Sequence, residues 1–349
     1  MSLYNVINAY GFYKEIILNI LVTGSAGFIG ASFCYQALGL NHKVLGVDNY
    51  SNSLKSRTDI LKMHFKENFC FLELNLADHE IGLMKELNFF KPDLIVHFAA
   101  LKSVTAAEAN PDLYWNNNIQ STINILNFAK KSNCPKLIFS SSAAVYGKCN
   151  PQPVNEKSML EPESIYGKTK LFCENLIDDF CKDNSIDAVI FRYFNVSGCH
   201  KNKLFPETPQ TSQNLMMNIV DVVNKDKEMI SVFGDNFNTH DGSATRDYIH
   251  IQDLLNAHFV VMDLLKEIKG CEIFNLGSEK EVSVLQLLRV FEKSNAVKVG
   301  YKISNPRPED LPRSLSDSSK FRRFSKWKAC KDLKDICIDS WNSDNKISP

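Results

Sequence analysis

Neither sign of charge is in excess: lysine plus arginine number 40, aspartate plus glutamate also 40, and the formal net charge is zero. Without a net field there is no general attraction to nucleic acid or an anionic membrane, so any anion recognised must be small and gripped locally. An apolar stretch near the ~18 residues needed to cross a bilayer is missing. Residues 1–14 have no basic start and no sustained apolar core, so no secretory signal is expected, and 1–15 read as a short appended segment. The ten cysteines come without CxxC pairs or clustered histidines, which speaks against a disulfide framework or a zinc site. A reduced, metal-free, cytoplasmic protein is the expectation. Internal repeats, low-complexity tracts and long linkers are also absent, and the length suits one large or two modest domains.

Against this plain background one stretch stands out: Ile20-Leu21-Val22-Thr23-Gly24-Ser25-Ala26-Gly27-Phe28-Ile29-Gly30. An apolar run meets a glycine-spaced turn and passes into a helical pattern. Gly24 permits the sharp exit from a strand, Gly27 lets backbone approach a pyrophosphate, and Gly30 lets the new helix pack closely. The helix N-terminus offers free N–H groups and the positive end of its dipole to an anion. Such a triplet alone can be merely a tight strand–helix turn. Here a second apolar run, residues 43–47, ends in Asp48, at the distance where a carboxylate holds a ribose hydroxyl pair. A carboxylate disfavours an extra phosphate there, so the cofactor expected is NAD and not NADP.

Strand-like runs recur at 19–23, 43–48, 70–74, 94–98, 136–140 and 187–193, separated by helical or loop-rich material. This alternation predicts an α/β fold with a doubly wound parallel (Rossmann) sheet over residues 1–193. One helix is expected over 111–131, with Leu113, Ile119, Ile123, Leu126 and Ala129 on its apolar side; another runs over 168–180. After Tyr193 the chain becomes polar and proline-bearing. Residues 194–349 are therefore assigned to a smaller, interleaved domain, whose parts around 247–282 return to the sheet.

A second constellation joins Phe139-Ser140-Ser141-Ser142-Ala143-Ala144-Val145-Tyr146-Gly147 to Tyr166-Gly167-Lys168-Thr169-Lys170. A serine at the carboxyl end of a buried strand lies beside the ligand crevice of an open parallel sheet. Tyr166 and Lys170, four apart, share one helix face. For a phenol to act as a base near neutrality its pKa must fall from ~10 by about three units, and a neighbouring ammonium and a nicotinamide cation supply that shift. Ser142 can hydrogen-bond the reacting oxygen. Any one of these residues alone reads as an ordinary surface or turn residue; joined to the glycine loop and Asp48, the reading is catalytic.

With these motifs in place, and with VDNYSNS, HFAALKSV, RYFNVSG, QNLM, TRDYIHIQDL, FNLG and RPEDLP, the chain resembles the extended short-chain dehydrogenases/reductases. It is most similar to the nucleotide-sugar 4-epimerases among them, from about Asn19 to about Trp341. The resemblance implies that Phe28 and Ile29 lie on the pyrophosphate and that Asp48, Asn49, Asn52 and Ser53 surround the adenosine ribose. Asn75 with Leu76, then Phe98, Ala99, Ala100, Lys102 and Asn117, would line the rest of the NAD, and Tyr193 would approach the nicotinamide amide. Lys102, Ser142, Tyr166, Asn195, Asn214, Leu215, Arg246, Arg307, Asp310 and Ser314 would meet a UDP-sugar, the two arginines neutralising its diphosphate. Asn75 stands where relatives usually have aspartate, and Glu309 where they commonly have glycine.

The reaction so implied is inversion at C4 of a UDP-hexose through a transient 4-keto sugar and enzyme-bound NADH. A dehydratase would need an Asp-Glu pair, and a decarboxylase a glutamate, where this chain has Ala143 and Ala144; a catalytically silent NAD-binding protein would be expected to lose Ser142, Tyr166 or Lys170. Relatives restricted to glucose and galactose carry a bulky aromatic at the position of Ser314, so the small serine implies UDP-N-acetylglucosamine and UDP-N-acetylgalactosamine as additional substrates. The alternative is a strict UDP-glucose 4-epimerase. A homodimer is common in the family and is the assembly expected.

Overall fold

The structure is a computed structural model that describes residues 17–341, except 79–86, 88, 149, 185, 209–213, 308 and 309. The expected appended segment 1–15 and Glu309 lie outside the described residues. Seven parallel strands form the central sheet: β1 (Asn19–Thr23), β2 (Lys43–Asp48), β3 (Phe69–Glu73), β4 (Leu94–His97), β5 (Lys136–Ser142), β6 (Asp187–Tyr193) and β10 (Cys271–Leu276). Their order across the sheet is β3-β2-β1-β4-β5-β6-β10. The strand order turns back at β1, beside β4, and in such sheets the crevice at the strands' carboxyl ends there is the ligand site.

The strands are apolar on both faces because helices cover both. Ile20, Val22, Val44, Val96 and Val189 pack on one side with α1 (Phe28–Gly39) and, across the sheet, α7 (Ile251–Leu264). Leu21, Ile95, Leu137, Phe139 and Ile190 pack on the other with α4 (Pro111–Lys131) and α5 (Ile165–Asn184). Each such side chain, fully buried, contributes roughly 1.5–3 kcal/mol. Two short helices, α2 (Lys55–His64) and α3 (Val104–Ala109), flank the crevice loops.

In α4 the buried face differs from the expected one. Leu113 is exposed, while Tyr114, Asn118, Thr122, Asn124, Ile125, Leu126 and Ala129 are buried. The reason is hydrogen bonding: Asn118 donates to the Leu101 carbonyl and Asn124 to those of Leu76 and Asp78. An apolar count cannot see a face held by polar groups that meet loop backbone.

Beyond β6 the chain builds a second layer. β9 (Thr245–His250) takes three partners: β7 (Asn195–Ser197) and β13 (Arg313–Ser314) parallel, β11 (Glu281–Ser283) antiparallel. β8 (Ile230–Phe233) pairs with β12 (Tyr301–Ser304) beside α6 (Leu215–Val223), α8 (Val284–Asn295) and α10 (Leu333–Ser340); α9 (Ser319–Ser325) lies against β10. β10 is the edge strand of the first sheet, and α7 packs on that sheet's core. Residues 234–243 form a loop with Asp235, Asn236, Asn238 and His240 exposed, anchored at its buried ends Gly234 and Ser243, where Asp241 accepts from the Ser243 and Ser283 hydroxyls.

Candidate active site

At the carboxyl end of β1, Gly24 adopts φ +69°, and a Cβ there would stand 2.7 Å from the Ala99 amide nitrogen. A Cβ on Gly30 would lie 2.1 Å from the Gly24 carbonyl oxygen, so the first turn of α1 closes directly on the loop. Helix α1 begins at Gly27 with no side-chain cap and no acidic residue in its first turn. Its leading amides, among them those of Phe28 and Ile29, are the donors an anion needs.

Asp48, at the end of β2, accepts from the Ala26 amide (3.0 Å), the Tyr50 amide (2.9 Å) and the Ser53 hydroxyl (2.7 Å). The acid is thus fixed beside the glycine turn before anything binds. Asn49 donates to Asn75 (3.2 Å), whose own amide donates to Asp78 (3.0 Å), and Asn52 reaches the Ala100 carbonyl at 3.5 Å. Phe98 and Ala99 lean back on β1 through the Thr23 carbonyl and hydroxyl. Uncapped helix, fixed carboxylate and the unpartnered, buried Ser25 hydroxyl form a donor and acceptor set that fits a dinucleotide.

The candidate catalytic group sits at the end of β5. Ser142 accepts from the Ala144 amide (3.2 Å), and its hydroxyl faces the Tyr166 phenol. Burial pushes the Tyr166 phenol up to about 12, and the Ser142 hydroxyl pulls it back down in part. Lys170, one turn further along α5, is buried, donates to the Ser140 carbonyl at 2.7 Å and lies 4.7 Å above the Phe139 ring. Burial lowers its ammonium to about 8, while Cys173 and Glu174 act the other way. Tyr193 is the register partner of Ser142 on β6. Its hydroxyl lies 2.6 Å from His258 Nε2; His258 Nδ1 faces the Leu254 carbonyl, so Nδ1 carries the proton and the phenol donates to Nε2.

Continuing from β6 into β7, Asn195 donates to the Asp247 carbonyl and so docks β7 on β9. Arg246, next on that strand, is half-buried and donates to the Thr245 (2.8 Å) and Leu311 (2.7 Å) carbonyls. No carboxylate among the described residues lies within salt-bridge distance of it, and burial lowers its pKa. Arg307 is paired with Asp310 (2.7 Å) and lies 4.5 Å over the Phe233 ring. Two guanidinium groups with one carboxylate between them are a ready seat for a dianion. Ser314 is the register partner of Arg246 on β13 and so lies beside that cation. Asn214 is the N-cap of α6, accepting from Met217 (2.9 Å) and donating to Glu207 (2.9 Å); half-buried Leu215 opens the helix.

Five residues went unnoticed in the sequence because each matters only through partners distant along the chain. Glu207, buried, binds Lys102 (3.1 Å) and Asn214, and so joins the loop after β4 to the start of α6. Arg57, also buried, donates to the carbonyls of Ala26 in the glycine loop (3.1 Å) and Pro206 (2.6 Å). Burial brings it down to about 10, offset by Glu207. Asn118 links Leu101 to Thr169 and accepts from Asn117. Glu174, one turn beyond Lys170, and Arg192 form a buried ion pair at 2.6 Å. Charged residues destined for a core announce themselves only by what they meet.

Among the described residues no metal-binding cluster occurs, all nine cysteines are free, and no helix is long and apolar enough to cross a membrane. A family model described as the NAD dependent epimerase/dehydratase family matches residues 20–277. The chain is 35% identical over 330 residues to UDP-glucose 4-epimerase 2 of Arabidopsis thaliana, covering 93% of this chain and 94% of that one. A UDP-glucose 4-epimerase of Stenotrophomonas maltophila, solved with bound NAD and formylated UDP-arabinopyranose, superposes with TM-score 0.87 at 36% identity over 93% of this chain and 97% of that one. The UDP-Glc/GlcNAc 4-epimerase of Campylobacter jejuni does so with TM-score 0.80 at 32% identity over 92% and 97%.

Proposed function

The chain belongs to the NAD dependent epimerase/dehydratase family, and from that premise we propose that it is an NAD-dependent UDP-hexose 4-epimerase. The observation that carries this reading is buried Lys170, one turn from Tyr166, held at 2.7 Å by the Ser140 carbonyl two residues before Ser142, beside two alanines that can neither eliminate water nor decarboxylate. Bound NAD supplies a reversible acceptor for the hydrogen at sugar C4, with a positive ring that favours an ionised phenol nearby. Tyr166 takes the proton of the 4-hydroxyl, Ser142 holds that oxygen, and Lys170 keeps positive charge behind both. The uncapped start of α1 and Asp48 hold the dinucleotide; Arg246 and Arg307 hold the diphosphate. Anchored there, the 4-keto sugar can turn and present its other face, and Tyr166 then returns the proton.

N-acetylated hexosamines are the finer part of the proposal. Ser314 beside Arg246 leaves room at C2, and one relative named for both glucose and N-acetylglucosamine supports the reading. The strict UDP-glucose reading is favoured by the names of the other relatives. The nine free thiols among the described residues suit a reducing compartment, so a cytoplasmic setting is included.

A coupled assay on both sugar pairs tests the whole. Tyr166→Phe should cut turnover by about three orders of magnitude, with absorbance showing NAD still bound; undiminished turnover would refute the mechanism. Ser314→Tyr should abolish conversion of the N-acetylated pair and spare the glucose/galactose pair. Equal survival of both removes the pocket argument.

A further inference from the structure

We propose that Glu174 and Arg192 are positioning residues for this reaction, acting through Ser141 to fix Ser142 against Tyr166. The inference rests on the epimerase reading and adds to it a unit that touches neither cofactor nor sugar. Glu174 follows Lys170 by one turn of α5. Its carboxylate accepts from Arg192 three times, at 3.1, 3.2 and 2.6 Å, and takes the Ser141 hydroxyl as well. Arg192 sends its remaining nitrogen to the Tyr146 phenol (3.0 Å), which donates to Asn275 (2.6 Å).

The two residues directly before Ser142 are therefore both fastened to the helix that bears Tyr166: Ser140 through its carbonyl to Lys170, Ser141 through its hydroxyl to Glu174. Stability alone does not account for a charged pair in this place, since desolvation offsets most of the Coulomb attraction and an apolar pair of like volume serves as well. A rigid planar fork buried under a strand end does account for geometry, because bidentate arginine fixes the carboxylate in both distance and angle. Small displacements of a reacting group cost rate far more than they cost affinity.

Replacing either charged partner would strand the other in the core, so the informative variant is Ser141→Ala, which leaves the ion pair intact. We expect kcat for UDP-galactose to fall about tenfold while KM, bound NAD and melting temperature stay at wild-type values. Ser141→Thr, which keeps the hydroxyl, should restore most of the loss, and adding Ser141→Ala to Tyr166→Phe should cost nothing further. Full kcat in Ser141→Ala, a loss shared with KM and melting temperature, or failure of the threonine to rescue would each overturn the proposal. Tyr166→Phe run alongside separates the two readings: if it stays active the epimerase mechanism fails, whatever Ser141→Ala does.

Discussion

Burial moves the two titrating groups of the site in opposite directions, Lys170 down to about 8 and the Tyr166 phenol up to about 12. The lysine ammonium is the form that helps the phenol ionise, and it is lost as pH rises through its lowered pKa. A cationic nicotinamide nearby can only lower that value further. The kcat/KM profile should therefore turn down above about pH 8; a profile flat to pH ~10 would show that Lys170 does not carry the needed charge. Stability moves with the opposite sign. The folded protein binds fewer protons at Lys170 than the unfolded chain between about 8 and 10.5. The buried ammonium thus costs roughly 3 kcal/mol below that window, a cost relieved as pH rises through it. At this scale the sequence was informative where chemistry is local: Ser142, Tyr166 and Lys170 are close along two short motifs. It was silent on Arg57, Glu174, Arg192 and Glu207, whose partners lie 149, 33, 18 and 105 residues away.

Among the elements, the β1–α1 junction tolerates least. A methyl group at Gly30 would meet the Gly24 carbonyl at 2.1 Å, a backbone atom that cannot swing aside. Gly30→Ala should displace the start of α1, lower stability by about 1–3 kcal/mol and reduce the NAD that copurifies. Thermal melting and absorbance measure both, and an unchanged melting point would contradict the contact. The parallel strands were legible because each is a short apolar run with helical material after it. Their ends were less so: β5 extends through Ser142 and β3 starts at Phe69, since hydrogen-bonded pairing, not hydrophobicity, decides where a strand stops. The short strands β7, β11 and β13, two or three residues each, had no pattern to read. They exist because β9 offers them edges.

For the molecule as a whole, the face that α4 leaves outward carries Leu113, 56% exposed, and Trp115, whose ring stands edge-on to Phe172 of α5, 47% exposed. We propose that a second copy of the chain covers this face. Sedimentation should give a dimer, and Leu113→Asp with Phe172→Asp should give monomers; dimers that survive both changes would place the contact elsewhere. The second layer is held differently, by one strand with neighbours on three sides. Along β9, Arg246 and Asp247 point to opposite faces. The first is turned toward the proposed diphosphate seat, the second into a nest of the Ser278, Glu279 and Ser316 amides. Adding or deleting one residue upstream in that strand would exchange them, setting a carboxylate before an anion and a guanidinium among amide donors. Length variation in descendants of this gene should accordingly be confined to the connecting loops, and β9 should drift only by replacement of one side chain for another.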